Sequence, residues 1–103
     1  MIAHISTLQE LKDVQASYRT VVLDFYATWC GPCKALAPHF ERWEQQYSGT
    51  KFLKVDVDES QDLSDMFHVS AMPTIVLLQD GVVVARVEGA NIAAIQKHLE
   101  QHL

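Results

Sequence analysis

Cysteine is nearly absent from this sequence: Cys30 and Cys33 are the only two among 103 residues. A disulfide-stapled secreted domain of this length carries several bridges, so one tight pair excludes that class. The pair points instead to a reducing compartment and reversible chemistry, and the expected location is cytoplasmic. Basic residues are few as well. Eight Lys and Arg against thirteen Asp and Glu leave a formal charge of −5, without the basic footprint of a nucleic-acid partner. Long apolar runs are missing, which excludes a membrane-spanning helix. No basic-then-apolar leader opens the sequence, so no signal peptide is expected. Repeats, low-complexity tracts and linkers are missing too. What remains is one domain over residues 1–103, long enough for its own core and expected to be monomeric.

The chemistry is concentrated in Trp29-Cys30-Gly31-Pro32-Cys33-Lys34. An apolar run over residues 21–27 precedes it, and an amphipathic segment reaching about residue 47 follows. Strand, turn and helix in that order place both thiols in the first helical turn, where Cys-x-x-Cys reads as a redox motif. Unsatisfied N–H groups and the positive end of the helix dipole favour a thiolate at Cys30. Pro32 suits an early helical position, because its missing N–H has no intrahelical use there.

The remaining elements follow from pattern. Residues 2–5 read as a short strand. Thr7 and Glu10 form a capping box, and Leu8, Leu11 and Val14 carry a helix to about residue 18. Residues 21–27 are apolar on both alternating faces except at Asp24, which suits a central strand covered on both sides. A carboxylate there is costly, and burial raises its pKa; the alternative is an edge strand with Asp24 in water. Leu36, Phe40, Trp43 and Tyr47 share one helical face. Pro38 interrupts that helix and predicts a kink, and Ser48-Gly49 ends it as a C-cap. Residues 51–57 form the next strand, parallel to the previous one through a right-handed crossover. Lys54 lies within it, either approaching Asp24 or snorkelling to the surface. Asp58 opens a weak helix to Phe67 with Leu63, Met66 and Phe67 on its pattern. Strands at 74–79 and 82–88 flank an Asp80-Gly81 hairpin turn, and Asn91 caps a last helix with Ile92, Ile95 and Leu99 inward.

On these residues the chain resembles the thioredoxins, over essentially its whole length. The markers are Asp24, the six-residue cysteine motif, Pro38, Lys54, Met72-Pro73-Thr74, Gly81 and Gly89-Ala90. The resemblance implies an α/β thioredoxin fold, a central mixed five-stranded sheet flanked by four helices. It also implies a cis bond before Pro73 facing the disulfide, Asp24 buried behind Cys33, and Asp58 bonded to the Trp29 indole. Glu88 stands where the family commonly has a small or apolar residue, which biases the substrates accepted at that rim.

The implied activity is reduction of protein disulfides by dithiol–disulfide exchange. Cys30, the more exposed thiol, attacks, and Cys33 resolves the mixed disulfide. Asp24 serves as a base through a water, and Lys54 tunes it. Gly31, Pro32 and Pro73 set the redox balance. Trp29, Gly31, Pro32, Ala71, Met72, Pro73, Gly89 and Ala90 form a shallow apolar dock. No cofactor beyond the redox-active disulfide and no metal are implied. The implied partners are an NADPH-dependent thioredoxin reductase and targets of the peroxiredoxin, ribonucleotide reductase or methionine sulfoxide reductase type. Two other functions compete. A disulfide isomerase domain more often carries histidine at the position of Pro32, and a non-enzymatic binding subunit does not need both thiols. A zinc site wants four ligands, and the histidines His98 and His102 are not tied by sequence to the cysteines.

Overall fold

A computed structural model describes residues 2–103. Its elements run β1 (Ala3–His4), α1 (Leu8–Gln15), β2 (Thr20–Tyr26), α2 (Gly31–Gln46), β3 (Lys51–Asp56), α3 (Gln61–Met66), β4 (Thr74–Gln79), β5 (Val82–Glu88) and α4 (Ile92–His102). The strands form one five-stranded mixed sheet in the order β1-β3-β2-β4-β5. β2 lies parallel to β3 and antiparallel to β4, with two neighbours on either side. This is the implied architecture: a mixed sheet with four helices.

Side-chain alternation along β2 sorts the core into two halves. Val22 packs with Leu36, Phe40 and Trp43 of α2 and with Ile95 and Leu99 of α4. Val21, Leu23 and Phe25 point the other way, against Leu11 of α1 and Leu63 of α3. Asp24 and Tyr26 share the parity of Val22, so they project beneath α2. In β3, Phe52 packs with the α2 half and Leu53 with the other, so Lys54 also projects towards α2. Helix α2 is fastened to α4 by the Trp43 indole, which donates to the Gln96 side-chain oxygen.

Several boundaries differ from expectation, each for a local reason. β1 pairs over two residues rather than four, although the Ile5 N–H still donates to the Lys54 carbonyl at 3.1 Å. Helix α1 stops at Gln15, because the Ser17 and Tyr18 N–H groups both turn back to the Val14 carbonyl. In its capping box Thr7 accepts the Glu10 N–H, but Glu10 reaches one residue further back, to the Ser6 N–H. The Ser6 N–H, followed by the Thr7 and Ser6 hydroxyls that also donate to this carboxylate, holds the Glu10 carboxyl below its ordinary pKa. Helix α2 is continuous across Pro38 and ends at Tyr47, whose N–H is taken by the Trp43 carbonyl; Gly49 does not cap it. Helix α3 starts after Ser60, not Asp58, and Met66 is exposed. The two strands at 74–79 and 82–88 stand as expected, joined through Asp80 and Gly81 with φ of 51° and 78°. Both residues thus take the left-handed values that a tight hairpin turn requires.

Phe40 is fully buried between α2 and the sheet, edge-on to Phe52 at 5.3 Å. Phe40→Ala is expected to lower the unfolding free energy by about 3–5 kcal/mol. Val82→Thr at the exposed hairpin should change it by less than about 0.5 kcal/mol. Urea titration of both variants measures the contrast.

Candidate active site

Cys30 is the N-cap of α2 rather than a residue of its first turn, with φ −88° and ψ 114°. Its sulfur accepts the Cys33 N–H at 3.2 Å. That amide is one of those a helix leaves without an internal partner, and here sulfur takes the place of the usual hydroxyl or carboxylate oxygen. The two cysteines are joined as a disulfide with Cα atoms 5.3 Å apart. On reduction, a thiolate at this cap position carries a negative charge. The same amide and the helix dipole stabilise that charge.

The expected difference in exposure is not found. Cys30 and Cys33 are 6% and 4% exposed, because Ala27 and Met72 pack around both. What separates them is what each borders. The Met72 carbonyl oxygen lies 3.7 Å from the Cys30 sulfur. Cys33 instead lines a cleft of about 270 Å³ together with Tyr26, Ala27, Thr28, Lys34, Ala37 and Lys54. Cys30 thus lies against the Met72 loop, while Cys33 borders the cleft that Lys54 also lines.

Three loops meet over the disulfide. Trp29 is 67% exposed, and its indole donates to Asp58 at 3.0 Å. The Met72–Pro73 bond is cis, and Pro73 is buried beside half-buried Met72 and exposed Ala71. The Thr74 hydroxyl donates to the Ala71 carbonyl at 2.6 Å, closing that turn. Gly89, with φ 90°, donates its N–H to the Pro73 carbonyl at 2.8 Å, which brings Gly89-Ala90 alongside. Gly31 and Pro32 are exposed at the helix tip. The residues singled out for a dock thus border one surface.

Asp24 lies in the central strand and is 1% exposed, which overturns the edge-strand alternative. Neither of its oxygens has a hydrogen-bond partner in the protein. Burial pushes its pKa up to about 7, and the positive charge of Lys54 pulls the other way. Lys54 is its direct neighbour across the β2–β3 pairing. The ammonium does not close an ion pair with Asp24, however. It sits 4.7 Å from the centre of the Tyr26 ring, a seat that attracts a cation to the π face. Lys54 therefore lies between its two sequence readings, half-buried and close enough to act on Asp24 through space. Burial, followed by Asp56, Glu59 and Asp24, pushes the Tyr26 phenol up. Tyr26 as the seat of Lys54 escaped the sequence reading; the shared parity of positions 24, 26 and 54 was the available signal.

His98 and His102 stack on each other at 6.3 Å on α4. Among the described residues no group of three or more His, Cys, Asp or Glu is placed to hold a metal ion.

Comparison with known proteins agrees with this geometry. The thioredoxin family model matches residues 4–101. Thioredoxin-1 of Saccharomyces cerevisiae is 47% identical over 97 residues, 94% of each chain. Mitochondrial thioredoxin 3 from the same yeast, solved in its oxidised form, is 41% identical and superposes with a TM-score of 0.91 over 97% of this chain and 94% of that one. A chain from a structure describing thiol resolution in yeast mitochondrial 1-Cys peroxiredoxin through the glutathione and thioredoxin systems is 40% identical. Its TM-score is 0.91, over 97% of this chain and 94% of that chain.

The buried carboxyl makes stability depend on pH with a definite sign. Its folded pKa of about 7 exceeds the ordinary 3.8, so the native state holds a proton that the unfolded chain releases. The stability this proton contributes is complete below about pH 4 and is lost as pH rises towards 7. At about 1.4 kcal/mol per pH unit, the full loss is about 4 kcal/mol. Asp24→Asn is expected to be more stable than the parent at pH 8, with the difference shrinking steadily towards pH 4. Denaturant unfolding at a series of pH values checks this, and a difference independent of pH contradicts it.

Proposed function

The chain belongs to the thioredoxin family, and from that premise we propose how its residues divide the work of reducing a protein disulfide. The activity itself is that of a protein-disulfide oxidoreductase, exchanging the Cys30–Cys33 dithiol for a target disulfide. The observation that carries the assignment of roles is that the Cys30 sulfur, at the helix cap, takes the Cys33 N–H and lies beside the Met72 carbonyl, whereas Cys33 borders the cleft with Lys54.

Cys30 attacks as thiolate, stabilised by the Cys33 N–H. A bond forms between Cys30 and one substrate sulfur, and the other substrate sulfur leaves as thiolate. Cys33 then attacks the Cys30 sulfur, closing the intramolecular disulfide and releasing the second substrate thiol. Two electrons pass to the substrate. For its step Cys33 must lose a proton in a desolvated place. Asp24, projecting under α2 with a pKa near 7, accepts that proton through a water reaching it from the cleft. Lys54, seated on Tyr26, keeps Asp24 from becoming too weak an acid. Gly31, Pro32 and Pro73 set the balance between dithiol and disulfide. An extended substrate segment lies over Trp29, Ala71, Met72, Gly89 and Ala90 and pairs with the Met72 backbone.

The oxidised chain is returned to the dithiol by an NADPH-dependent thioredoxin reductase, which makes it a carrier in electron transport. Its targets are disulfides of the peroxiredoxin, ribonucleotide reductase or methionine sulfoxide reductase type. The similarity to a chain studied with a 1-Cys peroxiredoxin supports the first of these. A cytoplasmic location accords with the two reversible thiols; the mitochondrial relative makes the mitochondrion the alternative to test by fractionation.

Cys30→Ser is expected to abolish reduction of insulin and to form no adduct. Cys33→Ser should still attack and should accumulate a mixed disulfide through Cys30. Mass spectrometry of non-reduced digests locates the bond, and substrate trapped on Cys33 would reverse the two roles.

A further inference from the structure

We propose that Arg86 is a positioning residue for substrate docking: its guanidinium fastens the start of the loop that ends in Met72 and so holds that backbone opposite Cys30. Arg86 lies on β5 and pairs in register with Val76 of β4. One terminal nitrogen donates to the Phe67 carbonyl and the other to the His68 carbonyl, the latter at 2.9 Å. The same guanidinium donates to Glu88 at 3.4 and 3.2 Å. The four bonds join the end of α3 to the last residue of β5, next to Gly89.

The need for such a tie is visible in α3. It has six residues, lacks a side-chain cap at its start, and buries only Leu63 and Ser64. A helix this short has little stability of its own. Its last carbonyls require outside donors, and His68 follows in the left-handed region with φ 53°. A guanidinium suits the task, because its planar fork can serve two carbonyls and a carboxylate together, which an ammonium cannot do with fixed geometry.

From that anchor only residues 69–72 separate the clamp from Pro73. The far end of the loop is held by the Gly89 bond to the Pro73 carbonyl and by pairing of Thr74 with Glu88. Both ends of the loop therefore hang on β5, one through Arg86 and one through residues 88 and 89. Release of the first end frees the Met72 carbonyl to move relative to the Cys30 sulfur. Arg86 touches neither cysteine, so its effect falls on docking rather than on the exchange step.

The proposal rests on the reading that substrate pairs with the Met72 backbone, and the test separates the two. The pre-reduced chain is mixed with excess insulin, and single-turnover oxidation gives a half-saturating concentration and a limiting rate. Arg86→Met should raise the half-saturating concentration about fivefold, with a much smaller change in the limiting rate. Arg86→Lys should lie between Arg86→Met and the parent. Amide hydrogen exchange at residues 68–72 should quicken in the same order. A small aromatic disulfide, with no strand to pair, should be affected less than insulin. Should Arg86→Met fold poorly, Glu88→Gln and Arg86→Lys carry the comparison, each expected to raise half-saturation without lowering the limiting rate in proportion. An unchanged half-saturating concentration in the Arg86 variants, or equal losses on both disulfides, overturns the proposal. Trp29→Ala is the control for the dock. If it raises half-saturation while the Arg86 variants do not, only the role of Arg86 falls; if it too has no effect, the docking reading falls.

Discussion

A helix that begins where a buried strand ends presents amide protons with no internal partner, and in this chain sulfur receives one of them. The Cys33 N–H to Cys30 bond is a backbone consequence of starting α2 at Gly31. It is made here to a disulfide sulfur, and such a bond is worth most when the sulfur is charged. The rest of the structure serves to keep that helix start in place. β2 is covered on both faces, the Trp43–Gln96 bond fixes the body of α2, and the loop before Pro73 closes over the sulfur from outside.

Beneath the same helix the chain accepts an unfavourable group. Asp24 has no protein partner for either oxygen and lies where a Val or Leu would pack well. The nearest cation is held off on an aromatic ring rather than closed onto the carboxylate. A closed ion pair would lower the carboxyl pKa and deprive it of use near neutrality, whereas no cation at all would leave it neutral throughout. The distance at which Tyr26 seats Lys54 sets the acid between those limits.

Much of this was legible from sequence because the deciding signals are local. The cysteine spacing, the apolar run broken by Asp24 and the Asp80-Gly81 turn each name their own conformation. The indole bond to Asp58 and the cis bond at Pro73 came from family likeness, since nothing in the composition of either neighbourhood demands them. The illegible parts depend on register or on backbone acceptors. Arg86 reads as an ordinary strand residue, because its partners are carbonyls 19 and 18 positions away and a carbonyl has no letter in the sequence. The start of α3 was placed at Asp58 rather than after Ser60, because the side chain of Asp58 is engaged by the Trp29 indole. The thiols were expected to differ in exposure, but Met72 arrives from a distant loop and covers both.

The strand order has a consequence for how the chain reaches this state. β2 is made early, yet both of its sheet neighbours, β3 and β4, come later in the chain, and β1 must wait for β3 as well. Every pairing except the β4–β5 hairpin is therefore non-local, and loop-closure entropy must be met before any of them forms. During synthesis the central strand leaves the ribosome without a sheet partner, with α1 already made for one of its faces and α2 following for the other. Both edges of that strand remain open to chaperones, or to another nascent chain, until β3 and β4 arrive.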